Sequence, residues 1–140
     1  MWIIYALLAA ILWGFNYSLS ERILNNLSPI TLLAFEMAVG AVVFSIASYF
    51  TNLKEDWQNL ITVPNLLWLT LLEILVLLLA SVCIMVSIRA KNATAAGIIE
   101  LMYPLFTIFF SWALFRENHV NSSVVSGGIL IFFGVLLMSR

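Results

Sequence analysis

Charge is what this chain has least of. Only 9% of its 140 residues are Asp, Glu, Lys or Arg, while 64% are hydrophobic; a soluble domain carries about 25% charged residues. So little polar surface cannot cover a sphere facing water, and a mean hydropathy of +1.09 points to lipid as the solvent. Neither sign dominates, since six Lys and Arg against seven Asp and Glu leave a formal net charge of −1. That supplies no basic field for a phosphate backbone and excludes nucleic acid as a partner. Cysteine and histidine are nearly missing too, at one each. Cys83 has no partner for an intrachain disulfide, and His119 belongs to no cluster at metal-ligand spacing, so redox and metal readings fall and no cofactor is implied. The chain also lacks a Gly-rich phosphate loop, a Ser/His/Asp set and a His-Glu-x-x-His stretch, and so does not read as an enzyme.

What it does have is long apolar runs. A spanning helix needs roughly 20 apolar residues at about 1.5 Å each, and the pattern predicts such helices over about 2–24, 29–50, 65–88, 93–115 and 120–138. The expected fold is therefore all-α: a polytopic membrane protein with five transmembrane helices in an up-down bundle, one domain over residues 1–140, with no room for a soluble catalytic domain. No Lys or Arg precedes the first run, which continues well past the length of a signal-peptide core, so it reads as a retained span. Ser28-Pro29 has the pattern of a helix start, an N-cap serine followed by proline in the first turn. Between Thr51 and Val63, Trp57, Leu60 and Ile61 at helical spacing suggest a short helix lying in the interface. Pro104, in the middle of the fourth span, should kink it.

An odd number of spans puts the termini on opposite sides. One side carries Lys54 and Arg116; the other carries Arg22, Arg89, Lys91 and Arg140 and is expected to be cytoplasmic, giving N-out and C-in. The difference is about two charges, small enough for copies to insert both ways.

An acidic side chain near the centre of a span costs about 2.5–3.5 kcal/mol, so an intramembrane carboxylate marks a functional site by default. Glu36, Glu73 and Glu100 each interrupt a separate span. Counting from the helix ends puts Glu36 and Glu100 about seven residues, roughly 10 Å, below the same side, with Asn16 at a similar level. Glu73 falls in the other leaflet. Glu36, Glu100 and Asn16, with Trp13, Tyr17 and Tyr103 nearby, are the candidate substrate- and proton-binding residues of a polar cavity, and Glu73 is a further candidate from the other leaflet. A carboxyl group taken out of water can hold and release a proton near neutral pH, which suits proton-coupled exchange or binding of an amine-bearing solute. The alternative is that each Glu is bonded to a neighbouring helix and fixes packing.

Small residues suggest where helices approach. Gly127 and Gly134 lie a heptad apart with Gly128 beside the first, a candidate contact or dimer surface on the fifth span, and Ala93, Ala96 and Gly97 do the same for the fourth. Cys83 reads as a small core residue. Asn26-Leu27-Ser28, Asn92-Ala93-Thr94 and Asn121-Ser122-Ser123 match glycosylation triplets, but all abut helix ends where an acceptor is hard to reach.

The order of these features resembles an EamA-type repeat of the drug/metabolite transporter superfamily. Leu12-Trp13-Gly14-Phe15-Asn16 is similar to that family's Trp-Gly-x-Asn. Leu27-Ser28-Pro29, Ser87-Ile88-Arg89, Asn92-Ala93-Thr94-Ala95, Pro104-Leu105-Phe106-Thr107, Phe115-Arg116-Glu117 and Gly127-Gly128 through Gly134 follow in the family's order. Glu36 stands where members commonly carry Arg, and Arg116 where they carry Gly before the closing Glu. The resemblance implies a secondary transporter, usually an exporter of small organic metabolites or drugs, resident in the cell (plasma or inner) membrane and built from two such repeats in inverted orientation. The expected partners are the lipid bilayer, a small-molecule substrate, and a second copy of the chain or a homologous half-transporter. Competing readings are a non-transporting scaffold or regulatory subunit of another membrane complex, and an intramembrane enzyme subunit, for which Asp56 and His119 show no recognisable arrangement.

Overall fold

The structure is a computed structural model that describes residues 1–117 and 121–138. Among them the chain is helical, with no strand: α1 (Trp2–Ile23), α2 (Pro29–Tyr49), α3 (Leu53–Thr62), α4 (Leu66–Ala90), α5 (Ala93–Glu100), α6 (Tyr103–Phe115) and α7 (Ser122–Met138). Counting α5 and α6 as one stretch, Ala93–Phe115, four helices are long and apolar enough to cross a bilayer. The 17 residues of α7 reach about 26 Å, the lower limit for a span. The protein is a polytopic membrane protein of all-α class. Arg140, on which part of the charge reading rests, and His119, weighed for metal binding and catalysis, lie outside the described residues.

Helix starts follow their local chemistry. Ser28 is extended at φ −73° and ψ 151°, and its hydroxyl accepts the Thr31 N–H at 3.2 Å, with Pro29 opening α2. Asn92 Oδ1 accepts the Ala95 N–H at 2.7 Å, and Asn121 Oδ1 accepts that of Val124 at 2.9 Å. These two asparagines of glycosylation-like triplets are thus helix caps. A short helix, α3, does occupy the polar stretch between α2 and α4. Asn65, left-handed at φ 64°, turns the chain from α3 into α4, a conformation asparagine tolerates better than most residues.

The fourth span differs from expectation: in place of one kinked helix there are two, separated at Leu101-Met102. Pro104 has no N–H to donate to the Glu100 carbonyl one turn back. Tighter bonds close the gap, from Leu101 N to Ile98 O at 3.2 Å, Met102 N to Ile99 O at 3.1 Å and Leu105 N to Met102 O at 3.0 Å. Pro104 then falls in the first turn of α6, where a missing N–H leaves no bond unmade.

Burial is concentrated at one end of the bundle. Leu24, Leu32, Leu33, Met85, Ile88, Ala93 and Ala96 form the core, joining the end of α1, the start of α2, the end of α4 and the start of α5. Ile88 is 1% exposed there, while Trp2 at the far end of α1 is 77% exposed. Arg22 and Arg89 lie in the last turns of α1 and α4 at this packed end, where a cation suits the helix dipole.

Within the chain, the glycine contact on α7 is made by Gly128, not by Gly127 or Gly134. A Cβ on Gly128 would come 2.6 Å from Leu105 Cδ2 on α6, whereas Gly127 and Gly134 meet open space. The buried position a heptad from Gly128 is Val135. Leu105, Ile108, Val125, Gly128, Ile129 and Phe132 border an open, apolar groove of about 380 Å³ between α6 and α7.

Candidate functional site

The polar half of α1 turns toward α5. Asn16 and Tyr17 are half-buried and Ser20, one turn on, is 2% exposed, so one stripe of α1 faces its neighbours. On α5 the facing positions are Ala93, Ala96, Gly97 and Glu100, small except for the last. A Cβ on Gly97 would stand 3.5 Å from Tyr17 Cδ2, an ordinary contact distance, so the Tyr17 ring lies against α5 at this position.

That placement brings the Tyr17 hydroxyl to Glu100. It donates to Glu100 Oε2 at 2.6 Å across 83 residues of sequence, a length typical of a hydroxyl bonded to a carboxylate. Trp13, one turn back on α1, sets its ring 5.7 Å from that of Tyr17 at 55°. The Asn16 side-chain oxygen is buried with no hydrogen-bond partner. Such an acceptor costs about 1–3 kcal/mol.

A second tie joins the same two helices. Glu21 Oε2 accepts the Ala93 N–H at 2.8 Å, placing a carboxylate on the N-terminus of α5, the end of a helix that favours negative charge. The sequence reading did not single out Glu21. Asn92-Ala93 as a helix start was a signal that some anion would be welcome there, but nothing in a single sequence pairs it with a residue 72 positions away.

Glu36 lies on the inward side of α2, a turn beyond Leu32 and Leu33, and is half-buried. It forms no hydrogen bond or ion pair among the described residues, and Glu100 forms no ion pair. Glu73 is exposed on the middle of α4. Tyr103, 62% exposed, lies on α6 beyond the break. Neither joins the Tyr17–Glu100 pair. The site therefore gathers Trp13, Tyr17, Glu100 and Gly97, with Asn16 adjacent in the chain; Glu36, on α2, is not joined to them by any contact. No group of His, Cys, Asp and Glu among the described residues is arranged to hold a metal ion.

Chemically, the arrangement is a carboxyl group with one oxygen bonded to a phenol, whose ring packs in turn on that of Trp13. It can take a proton or a cationic donor. The profile of the EamA-like transporter family matches residues 1–140. No curated protein and no solved structure matches the chain.

Proposed function

Because the chain belongs to the EamA-like transporter family, we propose that it is a secondary transporter, an exporter of small organic metabolites or drugs, with Glu100 as the group that proton and substrate share in turn. The observation that carries this reading is the Tyr17–Glu100 hydrogen bond at 2.6 Å between two membrane-spanning stretches. A carboxylate is costly there, and no cation among the described residues neutralises it. A protonated amine satisfies it: the ammonium meets the carboxylate, and the Trp13 and Tyr17 rings offer faces that attract a cation by about 0.5–2 kcal/mol. A proton arriving from the other side of the membrane discharges the carboxylate and releases the solute. Glu36, facing inward on α2, is the second acceptor available to this exchange.

Alternating access needs a wall facing this one. A second copy of the chain, or a homologous half, in inverted orientation supplies it, as the small difference in charge between the two sides of the chain allows. In the orientation that the positive-inside rule favours, the packed end, with Arg22, Arg89 and Lys91, is the cytoplasmic side, an inverted copy presents it on the other, and the cell membrane is the site of action.

Flux in proteoliposomes with and without a pH gradient tests the reading, screening amines, amino acids and sugars. Gradient-driven movement of an amine, lost in Glu100→Gln, is the expected outcome. Transport retained in both Glu36→Gln and Glu100→Gln would sink it. A C-terminal topology reporter combined with cross-linking through engineered cysteines tests the assembly, and a single orientation with no copurifying partner rules out the inverted pair.

A further inference from the structure

The eight residues of α5 are held by α1 at both ends, and by different chemistry at each. Its first N–H is bound by the Glu21 carboxylate at 2.8 Å, and its last residue, Glu100, is bound by the Tyr17 hydroxyl at 2.6 Å. Tyr17 and Glu21 are one turn apart on one face of α1, and Ala93 and Glu100 are two turns apart on α5. The Glu21 end is embedded in the core with Leu24, Ile88, Ala93 and Ala96. The Glu100 end is not: Ile99 and Leu101 are 53% and 52% exposed. Beyond it the regular helix is interrupted at Leu101-Met102, where tighter backbone bonds from Leu101 to Ile98 and from Met102 to Ile99 make a turn between α5 and α6 that a swing of α5 would bend.

We propose that Glu21 is a positioning residue, the fixed pivot of α5, and that the Tyr17–Glu100 bond is its releasable latch. The inference rests on the reading of Glu100 as the exchanging group. When a proton or a cationic solute occupies Glu100, its bond to Tyr17 loses its charge-assisted character, which accounts for about half the strength of such a bond. The Glu21 tie is to a backbone N–H and does not depend on Glu100. The C-terminus of α5 swings away from α1 while its N-terminus stays docked. The charged or titratable groups on the elements packed against α5 are Tyr5, Tyr17, Glu21 and Arg22 on α1 and Glu73, Cys83 and Arg89 on α4; α7 carries none. Tyr17 is the one of these bonded to Glu100.

The test is a pair of spin-label distances in the full chain in bilayers, on a Cys83→Ser background and diluted with unlabelled chain. Labels at exposed Leu12 and Leu101 report the latch, and labels at exposed Arg22 and Thr94 report the pivot. A swing of about 25° moves the end of a helix about 12 Å long by about 5 Å. The Leu12–Leu101 distance should lengthen by that amount on acidification, and at every pH in Tyr17→Phe and Glu100→Gln. The Arg22–Thr94 distance should stay fixed throughout. Glu21→Ala should broaden the Arg22–Thr94 distribution, and Glu21→Gln, which keeps an acceptor oxygen for Ala93, should restore it. A Leu12–Leu101 distance indifferent to pH and to Tyr17→Phe overturns the latch, and an Arg22–Thr94 distance unmoved by Glu21→Ala overturns the pivot. Both readouts are independent of flux, so failed transport with a moving latch refutes only the transport reading, and the reverse refutes only this one.

Discussion

The two ends of the bundle are built from different residues and do different things. At the packed end, Ser20, Ala93, Ala96 and Gly97 are small enough to let α1, α4 and α5 close on Leu24, Met85 and Ile88. At the open end, the first half of α1, the second half of α2 and the stretch Leu67–Leu79 of α4 carry large side chains that remain exposed, among them Trp2, Tyr5, Phe44, Tyr49 and Trp68. In water such faces would drive collapse. In lipid they cost little, because acyl chains are as apolar as leucine, and helices associate only where close packing or hydrogen bonds favour it. The difference teaches that this chain is glued at one end and free at the other. Tyr17 and Glu100 lie near the boundary, where a polar contact can be made without being locked in.

Several substitutions would break or sharpen that contrast. The largest effect is expected from Glu100→Gln, which should abolish gradient-coupled flux in proteoliposomes while leaving the helical content measured by circular dichroism unchanged. Tyr17→Phe should leave measurable flux, since the carboxylate remains. Next, truncation should discriminate the two ends: Ile88→Ala in the core should cost about 2–4 kcal/mol, and Leu75→Ala on exposed α4 less than about 0.5 kcal/mol, both read from denaturant unfolding in detergent. If the two cost the same, the packed end is not the core. On α7, Gly128→Val should cost about 1 kcal/mol, because the end of the Leu105 side chain must turn aside into the open groove that both residues border. Gly127→Val and Gly134→Val, into open space, should be near neutral in the isolated chain. Ser28→Ala, which deletes the cap of α2 at the packed end, should cost about 1 kcal/mol. Smallest is Arg116→Gly. Arg116 is left-handed at φ 60° with its guanidinium 5.5 Å from the Trp112 ring centre. Relief of the backbone, about 1 kcal/mol, is largely offset by the lost cation–π contact, about 0.5–1 kcal/mol, so the thermal midpoint should barely move.

Much of the fold was legible before any coordinates. Apolar run length marks a membrane helix because lipid offers backbone groups no partner, and Ser28-Pro29 marks a helix start because a side-chain oxygen must serve free N–H groups; the same role of Asn92 emerged only from the structure. Pro104 announced an interruption but not its extent: whether a helix bends or breaks at proline depends on whether neighbouring turns can tighten, as they do at Leu101 and Met102. The site was half legible. Insertion cost singles out Glu36, Glu73 and Glu100 equally, and nothing in composition says that Glu100 meets Tyr17, that Glu73 faces outward, or that Glu21 caps α5. For the same reason Gly127 and Gly134 look as eligible for helix contact as Gly128; a heptad identifies a face but not which face meets a neighbour.

The scarcity of charge, by itself, determined the solvent, the secondary structure and the number of places where a polar group needs an explanation. Those are local properties, set by the transfer of each residue between water and lipid. Only the tertiary structure decided which of those polar groups meet. Pairing across 83 residues depends on how helices rotate and where small side chains let them close, and that is a property of the packed end as a whole.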